Sequence, residues 1–391
     1  MKVQSHLYFN SFLMVFFFMG VFNCETPDNN VQNIGEDSAT IAPAKDENYD
    51  LETLKLPEGF KISVFAEVEN ARSLAISPGG TIFIGNRGGK KVYAVKDTDG
   101  DNKADKKWQI YEGNYPNGVA FKDGDLYVAE IDKILKFSDI ENKLDNPGSP
   151  QVIYDKYPSD FHHGWKFIAF GPDGKLYVPV GINCNICERE KPVYGTITRM
   201  DADGSNMEIY VTGVRNSVGF TWHPVTGDLW FTDNGRDMLG DDVPPCELNQ
   251  VSGENEHFGF PYCHGTTPDP EFGEGKSCED YKAPAWNFGA HTAPLGLRFY
   301  TGDMFPEKYK NNLIVAQHGS WNRSSKVGYK LMFVKVDADK ATSAEPFIEG
   351  WLNKATDEAW GRPVDVLQMP DGALLVSDDK AGLIYRITYG D

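Results

Sequence analysis

A short alternation of turn and strand returns six times along the chain. It reads Gly79-Gly80-Thr81-Ile82-Phe83-Ile84, then Asp123-Gly124-Asp125-Leu126-Tyr127-Val128, then Asp173-Gly174-Lys175-Leu176-Tyr177-Val178. It continues as Thr226-Gly227-Asp228-Leu229-Trp230-Phe231, as Asn311-Asn312-Leu313-Ile314-Val315-Ala316 with Asn in place of Gly, and as Asp371-Gly372-Ala373-Leu374-Leu375-Val376. Glycine supplies the positive φ that a tight turn needs, and the apolar residues after it alternate along a strand. Recurrence at roughly fifty residues matches one four-stranded sheet per repeat. The pattern therefore predicts an all-β chain, a six-bladed β-propeller with four-stranded blades, and the regular spacing disfavours a pair of sandwiches. No stretch from Leu51 onward carries sustained helical periodicity. Gly382-Leu383-Ile384-Tyr385-Arg386-Ile387-Thr388 reads as a strand able to close the ring beside the first blade. The longest gap, Trp230 to Leu313, is Pro- and Cys-rich and is expected to be an elaborated top-face loop rather than a second domain.

The ends of the chain read differently. Lys2 followed by the apolar run Phe12 to Phe22 is short for a bilayer span and resembles a secretory signal. Val21-Phe22-Asn23-Cys24 resembles a bacterial lipobox, which makes Cys24 the candidate lipidated residue. The expected organisation is a lipoprotein-type signal peptide over 1–23, a flexible linker over 24–50 and the propeller over 51–391. The protein is accordingly expected in a bacterial cell envelope, lipid-anchored and facing the periplasm or the exterior. Aromatic residues at 13%, with 39 Gly and 23 Pro, suit many short strands and turns. A formal net charge of -19 argues against nucleic acid and against an anionic membrane surface as partners, the lipid anchor aside.

Beyond Cys24 the thiols are Cys184, Cys187, Cys246, Cys263 and Cys278, an odd number, so at least one is free or paired elsewhere. Cys184-Asn185-Ile186-Cys187 could be a redox pair, a zinc half-site or a loop-locking disulfide. It follows a strand, lacks a second Cys-x-x-Cys and has no His after Cys187, which favours the disulfide. Cys263 and Cys278, flanking a Pro-rich loop, form the next candidate pair.

Candidate chemistry lies in the loops between repeats. Asp97, Asp99, Asp101 and Asp105 sit at positions one, three, five and nine of a tight loop, the beginning of an EF-hand-like pattern. Without the sixth-position Gly and twelfth-position Glu, a solvated hairpin tip and a structural calcium site both remain open. Phe161-His162-His163-Gly164-Trp165 precedes the third repeat and delivers a titratable pair. Gly213-Val214-Arg215-Asn216 precedes the fourth, and Asp233 to Asn249 is dense in oxygen ligands. Later loops add Gln317-His318-Gly319-Ser320-Trp321-Asn322-Arg323, Gly328-Tyr329-Lys330 and Trp360-Gly361-Arg362-Pro363. Arginines on rigid loops suit a planar, multiply charged anion, because each guanidinium can bind a carboxylate through two bonds.

From Leu54 to the C-terminus these motifs resemble the glucose/sorbosone dehydrogenase family, soluble six-bladed propeller enzymes that use pyrroloquinoline quinone, with the sorbosone-type branch the best match. The resemblance rests on His163 before Phe170-Gly171-Pro172-Asp173-Gly174-Lys175, on Cys184-Asn185-Ile186-Cys187, and on Arg215-Asn216. It also rests on Leu239-Gly240-Asp241-Asp242, Pro244-Pro245, Glu247-Leu248-Asn249, Phe258-Gly259-Phe260-Pro261-Tyr262, His318-Gly319-Ser320-Trp321-Asn322-Arg323 and Gly361-Arg362-Pro363.

It implies that His163 is the general base on a substrate hydroxyl while hydride passes to the quinone, and that Arg215 stabilises the charge developing on the quinone oxygen. It further implies that Asn216, Arg362 and either Arg323 or Lys330 hold the cofactor, and that a calcium ion sits at the Asp241-Asp242 loop. The expected reaction is oxidation of a sugar, alcohol or aldehyde, with electrons leaving to an external acceptor because the chain has no haem motif. Two other readings compete. One is a calcium-dependent propeller lactonase, which needs Asn216, Asn234 and Glu247 on one metal; the other is a glycan-binding propeller without catalysis.

Overall fold

The computed structural model describes residues 49–337 and 340–390. The signal peptide, Cys24 and nearly all of the linker lie outside the described residues. Six four-stranded antiparallel sheets form the blades of a β-propeller. Blade 1 runs through Ala71–Ile76, Ile82–Asn86, Lys91–Lys96 and Lys106–Glu112, and blade 2 through Gly118–Lys122, Asp125–Ala129, Ile134–Phe137 and Gln151–Tyr154. Blade 3 comprises Ala169–Phe170, Leu176–Val180, Thr196–Met200 and Glu208–Thr212; blade 4 comprises Phe220–Trp222, Leu229–Asp233, Pro245–Gln250 and Trp286–Ala290. Blade 5 takes Pro294–Phe299, Leu313–Gln317, Lys330–Asp337 and Lys340–Glu349. Blade 6 takes Pro363–Gln368, Leu374–Asp378 and Leu383–Tyr389, and its outermost strand is Phe60–Glu67 from the other end of the chain.

The six recurring turns each join the first strand of a blade to its second. Sequence alternation suggested one buried face for these second strands, yet Leu176–Val180, Leu229–Asp233, Leu313–Gln317 and Leu374–Asp378 are buried at every residue. Blades stack face to face, so both sides of an inner strand meet a neighbouring sheet. Each large apolar side chain buried this way contributes roughly 1.5–3 kcal/mol. Near the axis the first strands come close enough to exclude side chains. A Cβ added at Gly118 would lie 2.6 Å from the Lys166 carbonyl oxygen, and one added at Gly219 2.2 Å from that of Leu295.

The ring closes where Phe60–Glu67 pairs antiparallel with Leu383–Tyr389. Phe60 then bridges blades 5 and 6, its ring centroid 4.7 Å from Phe305, 5.2 Å from Tyr309, 5.0 Å from Phe347 and 5.0 Å from Tyr389. Much of the Trp230–Leu313 gap proves to be regular blade, because strand positions with ordinary pairing continue through it. The insertion proper, residues 251–285, joins the last two strands of blade 4 and carries the hairpin Cys263–His264 with Thr267–Pro268. Disulfides join Cys184 to Cys187 and Cys263 to Cys278, and Cys246 is a free, buried thiol. Among the described residues the only helices are short 3-10 turns, and none is long and apolar enough to cross a membrane.

Candidate active site

The loop between blades 2 and 3 places the histidine. Gly164 N–H closes a turn on the Phe161 carbonyl at 3.1 Å, the Lys166 ammonium donates to the Gly164 carbonyl at 2.9 Å, and Asp160 accepts the Tyr194 hydroxyl. Within that frame His163 adopts a φ of 53°, and its Nδ1 lies 2.8 Å from the Ile182 carbonyl oxygen. A carbonyl only accepts, so Nδ1 carries the proton and Nε2 is left as the basic nitrogen. Burial first, then the charges of Arg215 and His162, hold the imidazole well below its usual pKa. The ring is therefore neutral at physiological pH, and its centroid is 4.0 Å from that of His162.

Arg215 faces the same cavity from the loop after blade 3. Asp233, at the end of a fully buried strand, accepts the backbone N–H of Arg215 at 2.7 Å and of Asn216 at 2.6 Å. The guanidinium donates to the Asn185 carbonyl at 2.9 Å, to Asn185 Oδ1 at 2.8 Å and to the Asn234 carbonyl at 3.1 Å, with Asp237 at 3.4 Å. Asn185 belongs to the four-residue disulfide loop, so the Cys184–Cys187 link fixes the partner of the arginine. Burial lowers the Arg215 pKa. Behind it, burial raises the Asp233 carboxyl to about 6, and burial together with Asp233 raises Glu247 to about 7. These two carboxyls stand directly opposite one another in the strand pair.

The other wall is cationic. Asp379 receives Arg72 Nη1 at 2.9 Å, Arg362 Nε at 2.9 Å and His318 Nε2 at 3.1 Å, and these charges hold its carboxyl far below the usual range. Arg87 lies with Cζ 3.5 Å from the centroid of the Trp165 ring, a cation–π contact, and burial and the neighbouring Arg72 push its pKa down to about 10. Two guanidiniums thus share a single carboxylate and Arg87 has no carboxylate bound to it among the described residues, leaving positive charge uncompensated. His163, Arg215, Asn216, Arg87 and Arg362 all line one cavity of about 410 Å³, with Trp165, Trp321 and Tyr329 as its aromatic walls.

The remaining candidates sit elsewhere. Arg323 is held by the Asp241 carbonyl and by Asp242 Oδ1 at 3.0 Å, and it is absent from the cavity wall. The Gly240 carbonyl accepts His291 Nε2 at 2.8 Å. The Asp241 and Gly240 carbonyls thus each accept from a side-chain donor, and the loop stands apart from the walls of the central cavity. Lys330 lines a separate cavity. Asn234 and Glu247 border a small void of about 10 Å³, and Asn234 also lines the central cavity together with Asn216.

The Asp97–Asp105 loop is the hairpin between the outer strands of blade 1. Carboxylate oxygens of Asp97, Asp99 and Asp101 come within 4.8 Å of one another, but Asp105 turns to the Thr98 backbone at 2.7 Å. Arg72, Arg87 and Asp379 were not anticipated from sequence. Their signal was positional: Arg87, Asn234, His318 and Asp379 each follow the second strand of a blade directly, and Arg72 lies at the start of a first strand.

Fold and site define a six-bladed propeller with a part-buried, neutral imidazole lining an arginine-rich cavity. The chain belongs to the family described as Glucose / Sorbosone dehydrogenase, whose profile matches residues 133–386. An uncharacterized protein of Borreliella burgdorferi is 34% identical over 354 residues, covering 86% of this chain and 91% of that one. A pyrroloquinoline quinone-dependent pyranose dehydrogenase of Coprinopsis cinerea is 32% identical over 115 residues, 25% of this chain and 15% of that protein. Among solved structures, the holo form of the Coprinopsis cinerea pyranose dehydrogenase PQQ domain superposes with a TM-score of 0.73 at 18% identity, covering 86% of this chain and 97% of that one. The PQQ-bound form of an aldose sugar dehydrogenase from Streptomyces coelicolor gives 0.62 at 18%, covering 85% and 99%. At such identities these structures establish the shared fold.

Proposed function

We propose that the protein is a quinone-dependent oxidoreductase that removes hydride from a sugar or related alcohol or aldehyde, with pyrroloquinoline quinone as its cofactor. The observation that carries this reading is the pairing, across one cavity, of a bare imidazole nitrogen with surplus guanidinium charge. A flat tricarboxylate suits that donor set: Arg362, which shares its one carboxylate with Arg72, and Arg87 offer surplus charge, Asn216 offers an amide, and Trp165 and Tyr329 offer flat apolar walls. When bound, the quinone would supply the hydride acceptor.

The chain's own residues do the rest. Neutral His163 takes the hydroxyl proton of the substrate at Nε2, and the Ile182 carbonyl stabilises the resulting imidazolium through Nδ1–H. Arg215, locked by Asn185 and Asp237, stabilises negative charge developing in the cavity, an effect worth about 3 kcal/mol. Electrons then leave to an external acceptor. Export and lipid attachment at Cys24 belong to the same proposal, and labelling with radioactive palmitate, lost in Cys24→Ser, tests them. The activity itself is tested by reconstituting purified protein with the quinone and calcium and following dye reduction with a panel of aldoses and polyols. Sugar-dependent reduction is expected; lactone hydrolysis without quinone, with no dye reduction, would overturn the proposal.

A further inference from the structure

Trp321 stands apart from the other tryptophans of the chain. It is 73% exposed, whereas every other tryptophan is buried or half-buried. Yet it lines the same cavity as His163 and Arg215, and Arg215 is only 3% exposed. The cavity therefore runs from a buried inner end at the arginine to an open mouth at the indole.

That exposure is not looseness of the backbone. Just before Trp321, the Ser320 N–H donates to the Val327 carbonyl at 3.0 Å, the Val327 N–H to Ser320 Oγ at 3.0 Å and the Tyr329 hydroxyl to the Ser320 carbonyl at 2.7 Å. Just after it, Asn322 Oδ1 accepts the Met238 N–H at 2.9 Å, Arg323 donates to the Asp241 carbonyl and to Asp242, and the Ser324 N–H donates to Asp241 Oδ1 at 3.0 Å. Residues on both sides of the tryptophan are thus tied down, while the indole itself has neither a hydrogen bond nor a ring contact among the described residues. A large apolar ring held in water on an anchored loop, at the mouth of a cavity, is an unused contact surface. Phe161, 50% exposed, extends that rim: it precedes the lining His162, and its ring centroid lies 5.4 Å from that of the lining Trp165.

The chemistry around the indole narrows what covers it. The negative face of an aromatic ring attracts the C–H face of a sugar ring. Beside it, Asn322 has its oxygen engaged by Met238, while its Nδ2 has no partner among the described residues and can donate to a hydroxyl. Arg323 is already taken by Asp241 and Asp242, so this loop offers no open cation to an acid group. An apolar face beside an amide donor, without free charge, fits a neutral sugar.

We propose that Trp321 is the platform for a second sugar ring, so that the substrate is a neutral saccharide of at least two units, one ring at His163 and the next stacked on the indole. The inference rests on the sugar-oxidising reading for the ring at His163, but stacking on Trp321 can be measured without the quinone.

Titration calorimetry on the full chain, cofactor-free, with maltose, cellobiose and xylobiose set against glucose and xylose is the decisive measurement. At least one disaccharide is expected to bind about tenfold more tightly than its own monosaccharide. Trp321→Ala should erase that advantage and Trp321→Phe should keep most of it, with the melting temperature unmoved because the side chain is exposed. Equal affinity of every disaccharide and its monosaccharide, or an advantage unchanged in Trp321→Ala, would overturn the platform. A Trp321→Ala chain that keeps the advantage and loses quinone binding would make the indole a wall for the cofactor and would overturn it too. Failure of the oxidation reading would abolish dye reduction with every sugar and leave the calorimetric preference in place, whereas failure of the platform would leave dye reduction without any preference for the disaccharide.

Discussion

At the scale of the residue, chemistry depends on what each polar group has been made to give up. The proton on His163 Nδ1 is committed to the Ile182 carbonyl, so basicity resides on Nε2 alone. His163→Ala is expected to lower kcat at least a hundredfold while quinone affinity, read from the absorption titration, stays within a few-fold. Arg362→Ala should do the reverse and weaken quinone binding, because its guanidinium shares Asp379 with the Arg72 guanidinium and the His318 imidazole and is the most exposed of that set. Since burial and Arg215 hold the His163 imidazole below its ordinary pKa, the acid limb of the kcat/KM profile should fall below pH 6.5.

Asp233 and Glu247 make a stability prediction. Their folded pKa values, about 6 and about 7, exceed the ordinary 3.8 and 4.5, so over that window the folded chain keeps protons the unfolded chain has released. Stability contributed by the protonated pair is present at the acid end and is lost as pH rises towards 7. In Glu247→Gln the urea midpoint should fall less between pH 4.5 and 7 than in the wild type. The amide can still accept from Gly265, and the Asn249 carbonyl oxygen, at present without a partner, can receive its N–H.

At the scale of the element, the loops do the positioning that the strands make possible. The Cys184–Cys187 loop presents Asn185 to the Arg215 guanidinium through two contacts. Cys184→Ser should therefore raise the quinone dissociation constant by about tenfold, the loss of one charged hydrogen bond. The melting temperature should move little, because a sequence separation of 3 closes a small loop and removes little chain entropy. The six turns were legible in sequence because glycine and strand alternation are local signals. Arg215, Asn216, His163 and Arg362 were legible as short motifs ahead of first strands. Arg72, Arg87 and Asp379 were not, since each is an isolated charge whose meaning comes from its register at a strand end, and register is set by neighbouring blades.

At the scale of the whole molecule, the ring is a closure problem. Blade 6 borrows its outer strand from the beginning of the propeller, and Phe60 ties that strand to blade 5 through four aromatic contacts. Phe60→Ala is expected to cost on the order of 3 kcal/mol, measured as a lower urea midpoint with an unchanged slope, and Phe60→Leu should recover part of it. Closure also explains why the cavity exists, because six sheets meeting around an axis leave their loop ends pointing into one concavity.

The sequence alone determined the repeat, hence six blades and an all-β chain, because turn chemistry and alternation act between near neighbours. It also determined which residue types stood at the loop ends. Only the tertiary structure decided which charges compensate one another: it gave Arg323 to Asp241 and Asp242, set Lys330 in a different cavity, and brought Arg72, 307 residues away in the chain, onto the same Asp379 that receives Arg362. Ion pairing acts over a few ångströms of space, and the closed ring fixes those separations.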